Sequence, residues 1–188
     1  MTKEKLRKIY LQKRLSLSEA EYLQLNHQLC ELFFAGIDLS FVNVLHIFLP
    51  IEKKKEPNTW LIIDRIRREF PHIRLSIPRV QNQTGKLENF YFEGLHQLQK
   101  NKWDIWEPKQ GIPTESEKID MVLVPLLIFD KQGHRVGYGK GFYDTFLQTC
   151  RKDCLKIGVS LFEPVDRIEG TSPNDQILDK IVSPQQIS

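Results

Sequence analysis

With 188 residues, 40% hydrophobic and 27% charged, the chain is long enough to bury a substantial core and too apolar to be disordered. Its net charge of +3 is scattered, which argues against nucleic acid as a partner and fits a small anionic ligand. No apolar run approaches the roughly 20 residues that a membrane helix needs, and no signal-peptide core follows the charged start. Cys30, Cys150 and Cys154 make no disulfide framework; Cys150 and Cys154, one helical turn apart, fit free thiols, since a zinc site would need two further ligands. These features predict a cytoplasmic protein of one domain, residues 1–188, that does not engage membranes.

Thr2 to Arg14 reads as a basic helix with Leu6, Ile9 and Lys13 along one side, and its six cations would ordinarily form a solvated face. Ser18 with Glu21 is a capping box and Leu17 is placed to staple it. A second helix therefore starts there, points Leu25, Leu29, Leu32 and Phe33 inward, and ends at Gly36. Val42 to Leu49 is a strand by composition, stopping at Pro50. Residues 51–59 (Ile-Glu-Lys-Lys-Lys-Glu-Pro-Asn-Thr) form a polar loop at that strand's C-terminal end, where α/β sheets collect ligands. Asn58 or Thr59 caps a helix running to about Phe70, with Leu61, Ile62, Ile66 and Phe70 inward and Arg65, Arg67 and Arg68 on the wet side.

Ile73 to Ile77 is a further strand closing at Pro78-Arg79, and a Gln83-Thr84-Gly85 turn leads to a hairpin partner at Leu87 to Phe92. Leu95 to Lys100 has no clear preference. Trp103 and Trp106, beside Glu107-Pro108, read as loop residues; packing is the simpler role for them, although a flat aromatic ligand would also use them. After the stretch treated next, Leu155 to Leu161 and Lys180 to Val182 are strands, with a polar loop at Glu163 to Asp175 between them. Alternating strands and helices predict an α/β fold whose largely parallel sheet is covered on both faces.

The most informative stretch is Asp130 to Leu147. A buried strand, Met121 to Phe129, enters it, Asp130 and Gly133 mark a turn, and glycines recur at 137, 139 and 141. A helix follows, with Phe142, Phe146 and Cys150 at helical spacing. Strand, glycine loop and helix bring bare backbone N–H groups toward an anion, so a phosphate site is expected. Arg135 and Lys140 supply cations beside it, and Asp144 sits where a carboxylate would hold Mg2+. The spacing is neither a P-loop nor a dinucleotide fingerprint, and alternating glycines also occur in turns without ligands. The five histidines lack metal spacing, and His46 reads as a satisfied core residue. The carboxylates best placed for a ligand are Glu56, Asp144 and Asp175, a set suited to Mg2+-nucleotide chemistry.

Met121-Val-Leu-Val-Pro, Phe129-Asp-Lys-Gln-Gly-His-Arg-Val-Gly-Tyr-Gly-Lys-Gly-Phe-Tyr-Asp and Pro173-Asn-Asp-Gln-Ile-Leu-Asp resemble the signature of the 5-formyltetrahydrofolate cyclo-ligase family. The Lys3 to Arg7 helix, Glu56-Pro-Asn-Thr, Pro78-Arg79 and Trp106-Glu107-Pro108 add to the resemblance, in family order over nearly the whole chain. It implies a three-layer α/β/α fold of the kind shared with sugar-phosphate isomerases and coenzyme A transferases. It also implies ATP- and Mg2+-dependent closure of 5-formyltetrahydrofolate to 5,10-methenyltetrahydrofolate by a monomer. On the resemblance, Lys3, Glu4, Lys5, Leu6 and Arg7 and the loop Arg135, Val136, Gly137, Tyr138, Gly139, Lys140, Gly141, Phe142 and Tyr143 hold ATP. Asp144 and Asp175 bind Mg2+; Ile51, Glu56, Trp106, Tyr138, Gly139, Lys140, Gly141 and Phe142 line the folate pocket; Glu56, Lys140 and Arg135 are catalytic. Phe142 stands where tyrosine is common in the family. A catalytically silent folate- or nucleotide-binding relative and a sugar-phosphate isomerase are the alternatives; keeping both aspartates favours the enzyme over the binder, and ATP consumption separates it from the isomerase.

Overall fold

The computed structural model describes every residue of the chain except Asn82. Helix α1 (Lys3–Leu15) follows Thr2, and α2 (Glu19–Gly36) opens on the expected capping box, with Glu21 N donating to Ser18 Oγ and Ser18 N to Glu21 Oε2. In chain order there follow β1 (Val44–His46), α3 (Trp60–Glu69), β2 (Arg74–Val80), β3 (Leu87–Tyr91), β4 (Leu98–Lys100) and β5 (Trp106–Pro108). The chain ends with β6 (Met121–Pro125), β7 (Ile128–Phe129), β8 (Arg135–Val136), α4 (Phe142–Leu147), β9 (Leu155–Val159) and β10 (Lys180–Val182).

Six strands make one sheet in the order β10-β9-β6-β1-β2-β3, all parallel except β3, which pairs antiparallel with β2 as the hairpin signal required. Alternating side chains along each strand divide the core. Leu45, Leu75, Met121, Leu123 and Ile157 face Leu29 and Phe33 of α2 and Ile62, Ile63 and Ile66 of α3. Val44, Val122, Val124 and Ile181 face Phe146 and Leu147 of α4. A third cluster, Leu6, Ile128, Val136 and Ile168, seats α1. The three-layer α/β/α expectation holds.

Five local expectations do not. Leu61 is 38% exposed while Ile63 is fully buried, because Leu61 lies roughly 140° around the helix from Ile66. Along α1 the inward stripe is Leu6, Tyr10 and Arg14, whereas Ile9 is exposed. The run from Met121 to Phe129 is two strands, since beyond Pro125 the chain leaves the sheet and Leu127 N donates to Val136 O instead. Trp106 is in β5, paired to β4 across Lys100, rather than in a loop. Helix α4 is also short: it stops at Leu147, so Cys150 lies beyond it.

The strand order sets the location of the site. From β1 the chain proceeds outward through β2 and β3, then returns to the other side of β1 as β6 and continues to β9 and β10. The direction of winding therefore reverses between β1 and β6, and loops leaving the C-terminal ends of those two strands diverge there to leave a crevice. One loop is 47–59 and the other is 126–141.

Candidate functional site

Three segments meet at this crevice. The first turns of α1 lie on the glycine loop, where Arg7 Nε donates to Gly137 O (2.9 Å). Gly139 has φ +86, and a β-carbon there would stand 3.1 Å from the Arg7 guanidinium. The positive φ favours glycine there, and any side chain would also have to push the Arg7 guanidinium aside. Arg135, beside the loop, donates to Asp144 Oδ1 (2.8 Å) and to Gln176 O (2.6 Å). Gln176 N donates to the same Asp144 oxygen (3.0 Å), and Asp175 is ion-paired to Lys3 while accepting from Ser172 N (2.6 Å). The result is a chain of alternating charge, Lys3–Asp175 and Arg135–Asp144, which draws the 172–176 loop against α1 and the glycine loop.

A second cluster lies deeper. Glu56 is 3% exposed and its Oε2 accepts from Ile51 N (2.7 Å), closing the loop after β1 on itself. The Tyr138 hydroxyl faces the carboxylate from the glycine loop. Burial pushes the Glu56 carboxyl above its usual range, opposed by the Arg14 guanidinium, the Ile51 N–H, Tyr138 and Lys54. Arg14 is itself 2% exposed and donates to Lys54 O (2.7 Å), to Leu126 O (3.5 Å) and to the Tyr138 hydroxyl. Lys54 Nζ lies 4.0 Å above the Tyr138 ring. Behind this cluster, the fully buried His46 pairs through Nε2 with the Tyr143 hydroxyl (3.1 Å), whereas its Nδ1 has no partner among the described residues. His46 is thus only half satisfied.

The expected site residues divide by position. Lys3, Arg7, Arg135, Asp144 and Asp175 converge with Gly137, Tyr138 and Gly139, and Ile51, Glu56 and Tyr138 converge separately next to them. Leu6 and Val136 point their side chains into the core, so neither offers a side chain to a nucleotide. Glu4 and Lys5 are exposed, Glu4 pairing along the helix with Lys8. Lys140 is exposed and forms no ion pair among the described residues, which leaves its ammonium available to an anion. Phe142 opens α4 against the β2–β3 turn, its ring 3.8 Å from where a β-carbon on Gly85 would lie. Trp106 belongs to a hairpin whose tip, at Asp104, is held to the 51–56 loop by Lys53 (3.0 Å). With only six residues, α4 contributes little dipole, so an anion bound here would rely mainly on glycine-loop amides and cations. Sequence reading missed Arg14 and Lys54. The available signal was Arg14's place in line with Leu6 and Tyr10, a cation on an apolar stripe.

Two open surface hollows, of about 620 and 320 Å3, lie elsewhere, one along α3 at Asp64, Arg67 and Arg68 and one at Glu93, His96 and Gln110. Neither brings a buried carboxylate or a glycine loop to its wall.

Comparison with known proteins gives this geometry a family. The sequence profile described as the 5-formyltetrahydrofolate cyclo-ligase family matches residues 1–184. The chain belongs to that family. The 5-formyltetrahydrofolate cyclo-ligase of Mycoplasma pneumoniae is 28% identical over 185 residues, 97% of this chain and 99% of that one. Among solved structures, the 5,10-methenyltetrahydrofolate synthetase of Aquifex aeolicus superposes with a TM-score of 0.84 at 26% identity, covering 100% of this chain and 92% of that chain. The M. pneumoniae 5,10-methenyltetrahydrofolate synthetase gives 0.74 at 26% identity over 98% and 100%. The recognition drawn from the glycine segment is therefore correct, as is the fold that it implied.

The donor set fits the Mg2+ that resemblance to the cyclo-ligase family implies. Asp144 and Asp175 each use one carboxylate oxygen on the contacts above, while Asp144 Oδ2 and Asp175 Oδ1 make no hydrogen bond among the described residues. No group of three His, Cys, Asp or Glu converges among those residues. That suits an ion which takes one or two protein carboxylates and completes its shell with phosphate and water.

His46 makes the fold sensitive to acid. Its burial lowers the imidazole pKa from 6.5 to about 3. The folded chain thus binds fewer protons than the unfolded one between those values, so this stability is full above pH 6.5 and is lost as pH falls toward 3. Thermal unfolding from pH 7 to 5 should show stability falling by up to about 1.4 kcal/mol per unit below 6.5. In His46→Gln the slope should flatten; an unchanged slope would assign the acid sensitivity to other groups.

Proposed function

We propose that this chain closes 5-formyltetrahydrofolate to 5,10-methenyltetrahydrofolate with consumption of ATP, acting as a monomer in the cytoplasm. The observation that supports it most is the meeting, at one crevice of a family member's fold, of a charged glycine loop and a buried carboxylate. An amide formyl group is a poor electrophile because its nitrogen lone pair is delocalised into the carbonyl. Transfer of the γ-phosphoryl group to the formyl oxygen, with ADP leaving, makes that oxygen a leaving group. The neighbouring anilino nitrogen then attacks the formyl carbon, loses its proton, and phosphate departs with the C–O bond.

In this reading Lys3, Arg7 and Lys140, with the amides around Gly139, take the triphosphate, and the work is positioning and charge neutralisation. Arg135 acts mainly as a bracket, since two of its nitrogens already hold Asp144 and the 172–176 loop. Asp144 and Asp175 would hold Mg2+, which would neutralise phosphate charge. Glu56 sits on the folate side, where a buried carboxylate with a raised pKa is suited to orient the attacking nitrogen and accept its proton. Ile51, Tyr138, Phe142 and Trp106 supply pocket walls. Because the hydroxyls of Tyr138 and Tyr143 are both nearby, phenylalanine at 142 leaves the site an aromatic wall without costing it every phenol.

The test is absorbance at the methenyl product band with 5-formyltetrahydrofolate, with and without ATP and Mg2+. Product should appear only with ATP, one ADP per product. Tight folate binding without product would identify a silent binder, and phosphate-sugar turnover without ATP an isomerase.

A further inference from the structure

We propose that Arg14 is a positioning residue that orients Glu56 through Tyr138 and couples this carboxylate to the helix carrying Lys3 and Arg7. The inference rests on the placement of Glu56 on the folate side of the reaction proposed above.

The geometry is specific to a guanidinium. Arg14 is on the last turn of α1, seven residues after Arg7 and on nearly the same side. Its Nε donates to Lys54 O in the loop after β1, its Nη1 to Leu126 O after β6, and its Nη2 to the Tyr138 hydroxyl in the glycine loop. One planar group thus ties together both loops that form the crevice, and an ammonium on a flexible stem could not hold that fork. Because Nη2 donates to the Tyr138 oxygen, the phenolic hydrogen is left free to turn toward Glu56, whose carboxyl the tyrosine adjoins.

Every element around Glu56 contributes a group. Arg14 faces it from α1, Lys54 from its own loop, Tyr138 from the glycine loop, Tyr143 from α4, and Tyr22 of α2 donates to the Glu56 main-chain oxygen (2.5 Å). Only Arg14 and Lys54 are cations, and Lys54 is engaged over the Tyr138 ring. Arg14 is thus the buried positive charge that most opposes the desolvation of the Glu56 carboxyl. Since the same helix holds the glycine loop through Arg7 and Asp175 through Lys3, seating a triphosphate on its first turns would fix the Arg14 end as well. Nucleotide and folate halves share one rigid rod.

The experiment compares Arg14→Gln and Arg14→Lys with the unmodified protein. Glu56 is titrated directly by carbon NMR of glutamate-labelled protein, its signal assigned by loss in Glu56→Gln, and kcat and KM are measured for each substrate. In Arg14→Gln the Glu56 pKa should rise by about one unit and the folate KM by about tenfold, with the ATP KM within about twofold. In Arg14→Lys the pKa should return close to the unmodified value while the folate KM stays raised, because charge is restored and the fork is not. A folded Arg14→Gln with an unmoved Glu56 pKa would overturn the proposal, as would Arg14→Lys with an unchanged folate KM. Should Arg14→Gln not fold, Arg14→Lys, which keeps the buried charge, decides alone. A merely structural role would lower thermal stability without moving the titration. If the unmodified protein makes no methenyl product, the proposed reaction fails, while the NMR titration still reads the tie between Arg14 and Glu56.

Discussion

Glutamine in place of Glu56 is expected to lower kcat about a hundredfold or more, with ATP KM nearly unchanged. Loss of a positioned general base or orienting carboxylate typically costs 10²–10⁴ in rate. The substitution is close to isosteric, so the Ile51 N–H keeps an oxygen acceptor and the 51–56 loop should keep its shape. What disappears is the negative charge facing Tyr138 and Arg14, which leaves a buried guanidinium without its counter-charge. Thermal stability should therefore fall as well, by an amount Glu56→Asp separates: aspartate restores charge but is one methylene short of Ile51 N. Steady-state kinetics with each substrate varied in turn give the answer. If ATP KM alone moves, Glu56 does not belong to the folate half.

The second large effect is expected at Asp144, where two variants distinguish charge from scaffold. Asparagine retains an oxygen for Arg135 Nη2 and Gln176 N, so the 172–176 loop stays in place and melting temperature changes little. It removes the carboxylate that a divalent ion needs, so turnover at ordinary Mg2+ should fall a hundredfold or more, on the order of 3 kcal/mol of transition-state stabilisation. Alanine removes both acceptors. Arg135, whose side chain is 7% exposed, is then left without its anion, and stability should drop as well, by roughly 3 kcal/mol for a broken, largely buried pair. Activity against Mg2+ concentration, with thermal unfolding of the same preparations, checks both. Asp144→Asn with unaltered rate and Mg2+ dependence would remove the metal role.

Much of the fold could be read locally because the signals are local. The capping box at Ser18 and Glu21 is complete within four residues, the Gln83-Thr84-Gly85 turn between two alternating runs defines a hairpin, and both appear as expected. The glycine segment was legible for a similar reason: Gly139 and Gly141 adopt positive φ, which few other residues tolerate. Failures occurred where local pattern and packing disagree. Leu61 and Ile63 are interchangeable by composition, and only the angle at which α3 meets the sheet buries one of them. Met121 to Phe129 is uniformly apolar, and its break after Pro125 depends on where Val136 offers a carbonyl.

The site divides in the same way. By itself the sequence determined that a glycine loop with cations and two aspartates exists, that a carboxylate follows the first strand, and which family carries them, because these are matters of residue type and order. Tertiary structure decided that the winding reverses between β1 and β6 and so brings the two loops together, and that Arg14 leaves solvent to join them. A cation on a basic helix looks the same whether it ends in water or under a tyrosine. What differs is the desolvation it suffers and the acceptors that offset it, and those come from segments 40, 112 and 124 residues away along the chain.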